Sequence, residues 1–331
     1  MTPVVSFVVP VRNDAVRLAT CLRSIRLNAD GADRLEIIVV DNGSTDESAA
    51  VARRFGATVL TVEHARVAEL RNRGAGEARA DVLAFVDADN EIGAGWVYSA
   101  LECLRLPKAA VVGALYQPPI DGTWVQHTYG YLRGIPRGQH DAGWLGSGNL
   151  AVSRAAFQAV GGFDTTLETC EDVDFCHRIR ANGLRVISDA RLSSIHHGDP
   201  RTLREVFSSE RWRGRDNLRV SFRRPITWSA LPSAFQPIVQ GISLGLFLSA
   251  IVAAVVSPRT ALVLMAVSLL SFWGATSLRI MWAALRSRAR RAVGVPALFV
   301  VASVFDVARA LALVSRAPHR GVRARPATAA S

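Results

Sequence analysis

The chain has 331 residues, of which 50% are hydrophobic, and it carries a formal net charge of +11. This length leaves room for about two domains, and the apolar fraction lies near the top of the range for soluble proteins. Arginine supplies most of the charge, with clusters in residues 201–224, 286–291 and 316–325. Because these clusters lie beside long apolar segments and no nucleic-acid recognition motif accompanies them, we expect anionic lipids rather than nucleic acid as their partner.

The start of the chain has no basic region and no small-residue cleavage site, so its apolar run predicts a first strand and not a signal peptide. We therefore expect the amino-terminal domain to remain in the cytosol. The four cysteines are too scattered in sequence for a zinc site.

Strand and helix patterns alternate over the first 90 residues. The predicted strands cover residues 4–10, 35–40, 58–62 and 83–87. The predicted helices cover residues 15–27, a segment ending at 55, and 68–79. This alternation predicts a mostly parallel sheet with right-handed crossovers, as in nucleotide-binding α/β domains.

The pattern loosens after residue 90. Residues 109–116 predict a strand, and residues 117–143 form a polar and aromatic segment suited to a substrate loop. The small residues 146–148 precede a further strand and would allow a ligand close to the backbone. Acidic residues then open a helix at residue 171, for which the helix dipole is an ordinary structural explanation.

The fourth predicted strand ends in Asp87 and Asp89. Two carboxylates at the carboxyl edge of a sheet offer hard oxygen ligands where open α/β folds bind ligands. Taken alone, the motif is more often a solvated strand end than a metal site, so the rest of the chain must decide between them.

Seven short motifs occur in a characteristic order along the chain. They lie at residues 8–13, 39–46, 71–75, 85–89, 148–150, 161–164 and 171–175. In this order the motifs resemble those of the family 2 glycosyltransferases of GT-A fold, and the resemblance covers residues 4–220. It implies a GT-A nucleotide-diphospho-sugar transferase fold with a mostly parallel central sheet, followed by C-terminal transmembrane helices.

The resemblance also implies a nucleotide-diphosphate sugar donor. Asp41 would accept a hydrogen bond from the base of the donor. The implied donor-binding residues are Pro10, Arg12, Asp41, Gly43, Arg71, Gly74 and Asp87.

The implied cofactor is Mg²⁺ or Mn²⁺, held by Asp87 and Asp89, with Asp89 favoured as the direct ligand. A metal would stabilise the charge that accumulates on the leaving diphosphate. His196, preferred to His197, resembles a metal-binding histidine of the family, and an ordinary strand-end histidine is the alternative.

By the same resemblance, Asp172 is the general base that deprotonates the acceptor hydroxyl, with Glu171 as the second choice. A single in-line displacement would then invert the anomeric centre. Ser208 to Trp212 retains the Arg-Trp of processive synthases but lacks their Gln, which favours the transfer of one or a few sugars.

Three apolar segments follow, at residues 238–256, 261–285 and 292–314. The third contains Asp306 and Arg309, so it is less clearly a membrane span. We expect three spans, with two spans and a non-spanning third segment as the alternative. The predicted parts are a cytosolic domain at 1–225, a membrane region at 226–315 and a basic, disordered tail at 316–331.

The sequence thus predicts a metal-dependent, inverting glycosyltransferase at the cytosolic face of the cell membrane. Its predicted acceptor is a lipid-linked or cell-envelope glycan. The alternatives are a processive polysaccharide synthase, a nucleotidyltransferase and a non-catalytic membrane scaffold. The chain lacks the glycine- and lysine-rich phosphate loop that is usual in nucleotidyltransferases. A non-catalytic scaffold would not need the four aspartates that the chain retains, namely Asp41, Asp87, Asp89 and Asp172.

Overall fold

A computed structural model describes residues 2–28, 35–134, 137–223, 231–286 and 293–314. The predicted tail and the basic segment 287–291 lie outside the described residues. The described residues form two compact units. The first unit lies within Met1–Pro119 and Pro136–Gly198, and the second lies within Ile120–Ile135 and Asp199–Pro318.

The first unit is an α/β domain. Its strands are β1 (Val5–Val11), β2 (Leu35–Asp41), β3 (Thr58–Thr61), β4 (Val82–Val86), β5 (Asn90–Ile92), β6 (Ala109–Gly113), β7 (Tyr116–Gln117), β8 (Gln139–Asp141), β9 (Asn149–Ser153), β10 (Arg185–Asp189) and β11 (Ser194–His196). Its helices are α1 (Ala15–Leu27), α2 (Ser48–Arg54), α3 (Val67–Glu77), α4 (Trp96–Leu104), α6 (Arg154–Ala159) and α7 (Glu171–Ala181).

Eight of the described strands form one sheet, in the order β3-β2-β1-β4-β9-β6-β10-β8. Strand β1 is parallel to β2 and β4, as predicted, whereas β9 runs antiparallel between β4 and β6. Because β1, β2 and β4 run in one direction, their carboxyl ends meet at one edge of the sheet. The smaller sheet β5-β11-β7 carries His196 at the end of β11.

Both faces of the large sheet are covered, because neighbouring residues of a strand point to opposite faces. Phe7 of β1 packs in one apolar cluster with Trp96 of α4, and Val8 packs in the other with Phe175 of α7. Strands buried on both faces read as continuous apolar runs, which explains why β1 and β4 were predictable from sequence.

The second unit is helical in its described part. It consists of α5 (Trp124–Arg133), α8 (Leu203–Arg213), α9 (Asn217–Ser221), α10 (Leu231–Ala253), α11 (Pro258–Arg286) and α12 (Val295–Val314). Three stretches are long and apolar enough to cross a membrane, namely Phe235–Ala253, Pro258–Leu285 and Val295–Val314.

Helix α5 corrects the prediction of a loop over residues 117–143. Thr123 begins the helix with a capping box, in which its hydroxyl accepts the N–H of Gln126 and the Gln126 side chain accepts the N–H of Thr123. Val125 and Tyr129, one turn apart, are buried on one face of the helix. The glycines and prolines around this short amphipathic segment concealed its helical period.

Candidate active site

The turns after β1 and β2 are held together at the sheet edge. Val11 is paired with Asp41 in the sheet register, and the N–H of Asn13 donates to the Ser44 hydroxyl over 2.9 Å. The buried carboxylate of Asp41 accepts the N–H of Ser44 over 3.0 Å. Gly43 makes this turn possible because its φ of +67° lies in the left-handed region that favours glycine.

The other predicted donor-binding residues lie on or near the same strands. Pro10 is opposite Val40 in the register of β1 and β2, and Arg12 directly follows β1. Gly74 of α3 lies against the sheet, since a Cβ placed on it would be 2.4 Å from the Val8 side chain. The structure thus gives Gly74 a packing role, and its contact with a nucleotide stays a prediction.

Asp89 and His196 converge at the carboxyl end of β4. The Nε2 atom of His196 lies 3.5 Å from Oδ1 of Asp89, and the N–H of His197 donates to the Asp89 carbonyl over 2.9 Å. The His197 ring instead faces Glu91, at 2.9 Å. The structure therefore brings His196, the preferred histidine, to the aspartate pair.

Burial by itself would raise the pKa of Asp89, but the positive charges of His196 and Arg17 hold that pKa well below its usual range. Arg17 lies in α1, 2.7 Å from Asp14 and 3.8 Å from Asp89. Asp89 is therefore ionised at neutral pH and able to act as a hard oxygen ligand.

Arg71 joins Asp87, at the end of β4, to the acidic pair of α7. Its buried guanidinium donates to Oδ1 of Asp87 over 2.6 Å and to Oε1 of Glu171 over 2.8 Å. Sequence reasoning placed Arg71 along the nucleotide, whereas here its two outer nitrogens bind carboxylates. The contact with nucleotide stays a prediction, and the structural role of Arg71 is to position Asp87 and Glu171.

Glu171 and Asp172 have different surroundings. Glu171 is buried and also accepts the Ser147 hydroxyl over 3.2 Å. The Asp172 carboxylate accepts two backbone N–H groups, from Val173 over 2.8 Å and from Ser147 over 3.4 Å. Burial, and then the neighbouring charge of Glu171, raise the pKa of Asp172 to about 7. Asp172 therefore has the pKa expected of a general base near neutral pH.

Gly148 allows the backbone to approach Asp87. A Cβ on Gly148 would lie 2.3 Å from Oδ2 of Asp87 and 3.0 Å from the Tyr116 hydroxyl. In the same way, a Cβ on Gly198 would lie 1.9 Å from Oδ2 of Asp89. Because both positions are glycine, no side chain collides with the Oδ2 atoms of Asp87 and Asp89.

Two residues of this region escaped sequence reasoning. Tyr116 stacks on His196, with ring centroids 5.1 Å apart, and its hydroxyl accepts the N–H of Gly148 over 3.1 Å. Arg17, described above, is the second. Neither lies in a motif, although the spacing of Asp14 and Arg17 is that of an ion pair at a helix start.

The side chains present fit a divalent cation that is bound together with a diphosphate. No group of three or more His, Cys, Asp or Glu side chains able to hold a metal occurs among the described residues. Mg²⁺ is commonly held by one or two carboxylates together with substrate phosphates, and Mn²⁺ accepts imidazole and carboxylate ligands. Asp89 and His196 would be direct ligands, and Asp87, whose Oδ1 binds Arg71, would offer its Oδ2.

Comparison with known proteins agrees with this geometry. Residues 6–161 match the family Glycosyl transferase family 2. The pre-mycofactocin glycosyltransferase of Mycobacterium tuberculosis is 28% identical over 237 residues, which cover 67% of this chain and 48% of that protein. The chain therefore spans about half the length of this relative.

Solved structures provide a second comparison. The mannosyltransferase PcManGT from Pyrobaculum calidifontis, in complex with GDP-Man and Mn²⁺, superposes with a TM-score of 0.59 at 19% identity, covering 94% of this chain and 87% of that chain. GalNAc-T7 with UDP, GalNAc and Mn²⁺ has a TM-score of 0.51 at 15% identity, covering 72% of this chain and 51% of that chain. At these identities the likeness shows the fold. The chain is therefore similar to the family 2 glycosyltransferases over residues 6–161, and it has the GT-A fold.

Proposed function

We propose that the protein transfers a sugar, with inversion, from a nucleotide-diphosphate sugar to a hydroxyl group of a lipid-linked or cell-envelope glycan. The observation that carries this proposal is the arrangement around Arg71, which connects Asp87 of the metal-binding motif to the Glu171-Asp172 pair. Asp87, on the side of the proposed donor, and Asp172, whose pKa is raised to about 7, thus belong to one site that the ion pairs of Arg71 hold together.

In the proposed reaction, Asp172 accepts the proton of the acceptor hydroxyl. The hydroxyl oxygen forms a bond to the anomeric carbon while the bond from that carbon to the diphosphate oxygen breaks. One displacement of this kind inverts the anomeric centre, and the nucleoside diphosphate leaves with the bonding electron pair. Glu171 takes no proton in this scheme because it is ion-paired with Arg71 and holds that residue in place.

The donor's two ends would be bound at different places on the sheet edge. Asp41, at the end of β2, would accept a hydrogen bond from the base, beside the turn that Gly43 permits. Asp89 and His196 would hold Mg²⁺ or Mn²⁺, which would stabilise the negative charge of the leaving diphosphate. The mannosyltransferase PcManGT, which shares the fold, is in complex with GDP-Man and Mn²⁺, and this supports a sugar nucleotide and a divalent cation as ligands of the site.

The helices α10 and α11 support a membrane location, because each contains a stretch that is long and apolar enough to cross a bilayer. We propose that the catalytic domain faces the cytosol, where nucleotide sugars are made, and that the membrane is the cell membrane. A transferase held at a membrane would have ready access to an acceptor that is itself anchored in lipid.

The donor can be identified by thermal stabilisation. We would measure the unfolding temperature of the purified full chain with a panel of sugar nucleotides, each with and without Mn²⁺. One sugar nucleotide should raise the unfolding temperature, and more strongly with Mn²⁺, because a ligand that binds only the folded state stabilises it. If no sugar nucleotide has this effect at millimolar concentration, the proposed donor class is wrong.

Asp89→Ala tests the metal role. The variant should lose the release of nucleoside diphosphate and the Mn²⁺-dependent stabilisation by donor. Asp81→Ala is the matched control, because Asp81 is an exposed acid that directly precedes β4, far from the carboxyl end of the strand. Wild-type activity in Asp89→Ala would refute the metal role.

A further inference from the structure

Helix α12 is covered by protein along much of its length within the second unit. The buried apolar cluster that it shares with α5 and α8 consists of Val125, Tyr129, Val206 and Val301, with Val304 and Phe305 packed against it. The apolar side chains on this face of α12 therefore have partners in the protein. Of its candidate span, 39% is buried, against 22% for α10 and 17% for α11.

Charged contacts extend the pairing of α8 and α12 towards the end of α12. Nε of Arg309 lies 2.6 Å from Oε2 of Glu210, whose side chain is 1% exposed. One turn further, a Cβ on Gly214 would lie 2.6 Å from the Cβ of Ala312. Helix α8 thus accompanies α12 from Val301 to Ala312.

The charged residues of α8 limit how deeply α8 and α12 can lie in a membrane. Five of its 11 residues are charged, and Arg204 is exposed. A helix of this composition cannot lie in hydrocarbon, where each unpaired charge is costly. Residues 301–312 of α12 lie beside α8 and must therefore also lie outside the hydrocarbon. The remaining residues 295–300 span about 9 Å, well short of the roughly 30 Å of a bilayer core.

The contacts of α12 with α10 and α11 agree with a position of α12 outside the hydrocarbon. Helices α10 and α11 form an antiparallel hairpin, in which Gln236 donates to the Ala275 carbonyl and Ser268 donates to the Ser243 carbonyl. Both open ends of this hairpin, at Leu231 and Arg286, therefore lie on the same side.

Asp306 of α12 binds the hairpin near its open end. Its carboxylate lies 2.7 Å from Arg279 and 2.9 Å from the Thr276 hydroxyl, and it accepts the Gln240 amide over 3.2 Å. Its polar partners lie in the first half of α10 and the second half of α11. The aromatic contacts of α12 join Phe299 to Trp273 and Phe305 to Arg279, so they also lie in the half of α11 next to the open end.

We infer that the chain crosses the membrane twice, through α10 and α11, and that α12 lies at the membrane surface with α5 and α8, against the lipid head groups. This inference rests on the proposed membrane location. It reverses the expectation of three spans drawn from the apolar composition of residues 292–314, because α12 packs along the charged helix α8, which cannot enter the hydrocarbon.

Two crossings place both basic segments of the sequence on one side. Residues 286–291 follow α11 and residues 316–325 follow α12, so neither has to be translocated. This agrees with the tendency of Lys and Arg to remain in the cytosol beside membrane spans. Anionic head groups on the cytosolic leaflet would attract both segments and the exposed Arg204 of α8.

Cysteine labelling in the full chain tests this arrangement. We would introduce Ser257→Cys, in the turn between α10 and α11, and separately Ser331→Cys, at the end of the chain. Cells would be treated with a membrane-impermeant maleimide before and after permeabilisation, and the parent chain would measure labelling of the four native cysteines. We expect Ser257→Cys to be labelled in intact cells and Ser331→Cys only after permeabilisation.

The other outcomes separate the two proposals. Labelling of both variants in intact cells would overturn the inference and establish three crossings. Labelling of neither variant in intact cells, with both labelled after permeabilisation, would show that the hairpin does not cross, which refutes both the inference and the membrane-spanning anchor. The donor-binding experiment above is independent of either result, so the transferase proposal would be judged separately.

Discussion

Glu171 and Asp172 are adjacent in sequence, yet the structure assigns them different chemistry. The buried side chain of Glu171 accepts hydrogen bonds from Arg71 and Ser147. The Asp172 carboxylate accepts instead from the backbone N–H groups of Ser147 and Val173, and burial and the neighbouring charge of Glu171 raise its pKa. A carboxyl group whose surroundings raise its pKa in this way is typical of acid-base sites.

The pH dependence of transfer should report Asp172. Its pKa is raised to about 7, so the carboxyl group is protonated below that pH and cannot accept a proton. We expect the transfer rate to rise with pH and to level off above about 7. Asp172→Asn should lower the rate by about 10² to 10⁴ and remove this pH dependence, while donor-induced thermal stabilisation remains. A wild-type rate that is flat between pH 5 and 9 would contradict the assignment.

Arg71, Tyr116 and Arg17 show what motif matching misses at the level of single residues. Arg71 was found, but its partners Asp87 and Glu171 lie 16 and 100 positions away in sequence. Tyr116 reaches the site because β7 lies beside β11 in the small sheet. Such partners follow from strand order, which a single sequence does not contain.

Helix α3 illustrates how an element is fitted to the sheet. Arg71 and Gly74 lie one turn apart and face inward, so one end of this face binds carboxylates while the other allows close approach to β1. Gly76 lies on the same helix with no atom within 4 Å of the position of a Cβ. Gly74 is therefore tightly packed and Gly76 is not, although both lie on α3.

Gly74→Ala and Gly76→Ala form a matched pair. In Gly74→Ala the new methyl group would lie 2.4 Å from Val8 and 2.9 Å from Val40, so we expect a loss of about 1–3 kcal/mol in the free energy of unfolding. Gly76→Ala should stabilise the protein by roughly 0.5–1 kcal/mol, because alanine is the better helix former. Urea unfolding monitored by tryptophan fluorescence would measure both. Equal effects of the two substitutions would refute the packing role of Gly74.

At the scale of the whole molecule, α12 connects the short helices α5 and α8 of the second unit to its long apolar helices α10 and α11. It is buried against α5 and α8, and its Asp306 binds α10 and α11. We therefore expect α12 to stabilise the fold of this unit.

Removing α12 tests this role. A chain that ends at Gly294 would expose the apolar face of α5 and α8 and leave Glu210 without Arg309. We expect its thermal unfolding temperature to fall by at least about 5 °C, since burial of each large apolar side chain contributes about 1.5–3 kcal/mol. The matched control ends at Val314 and removes only the predicted tail. An unchanged unfolding temperature in the shorter chain would show that α12 contributes little.

The resemblance of its motifs implied the GT-A fold, and the sequence by itself determined the order of the first strands and helices and the candidate carboxylates at the strand ends. These features are local, because a buried strand and an amphipathic helix each leave a periodic record in their own residues. Only the tertiary structure decided that Arg71 joins Asp87 to Glu171, that Asp172 is set apart from its neighbour, and that α12 packs on α5 and α8. Each of these depends on residues brought together from distant parts of the chain, where local periodicity carries no information.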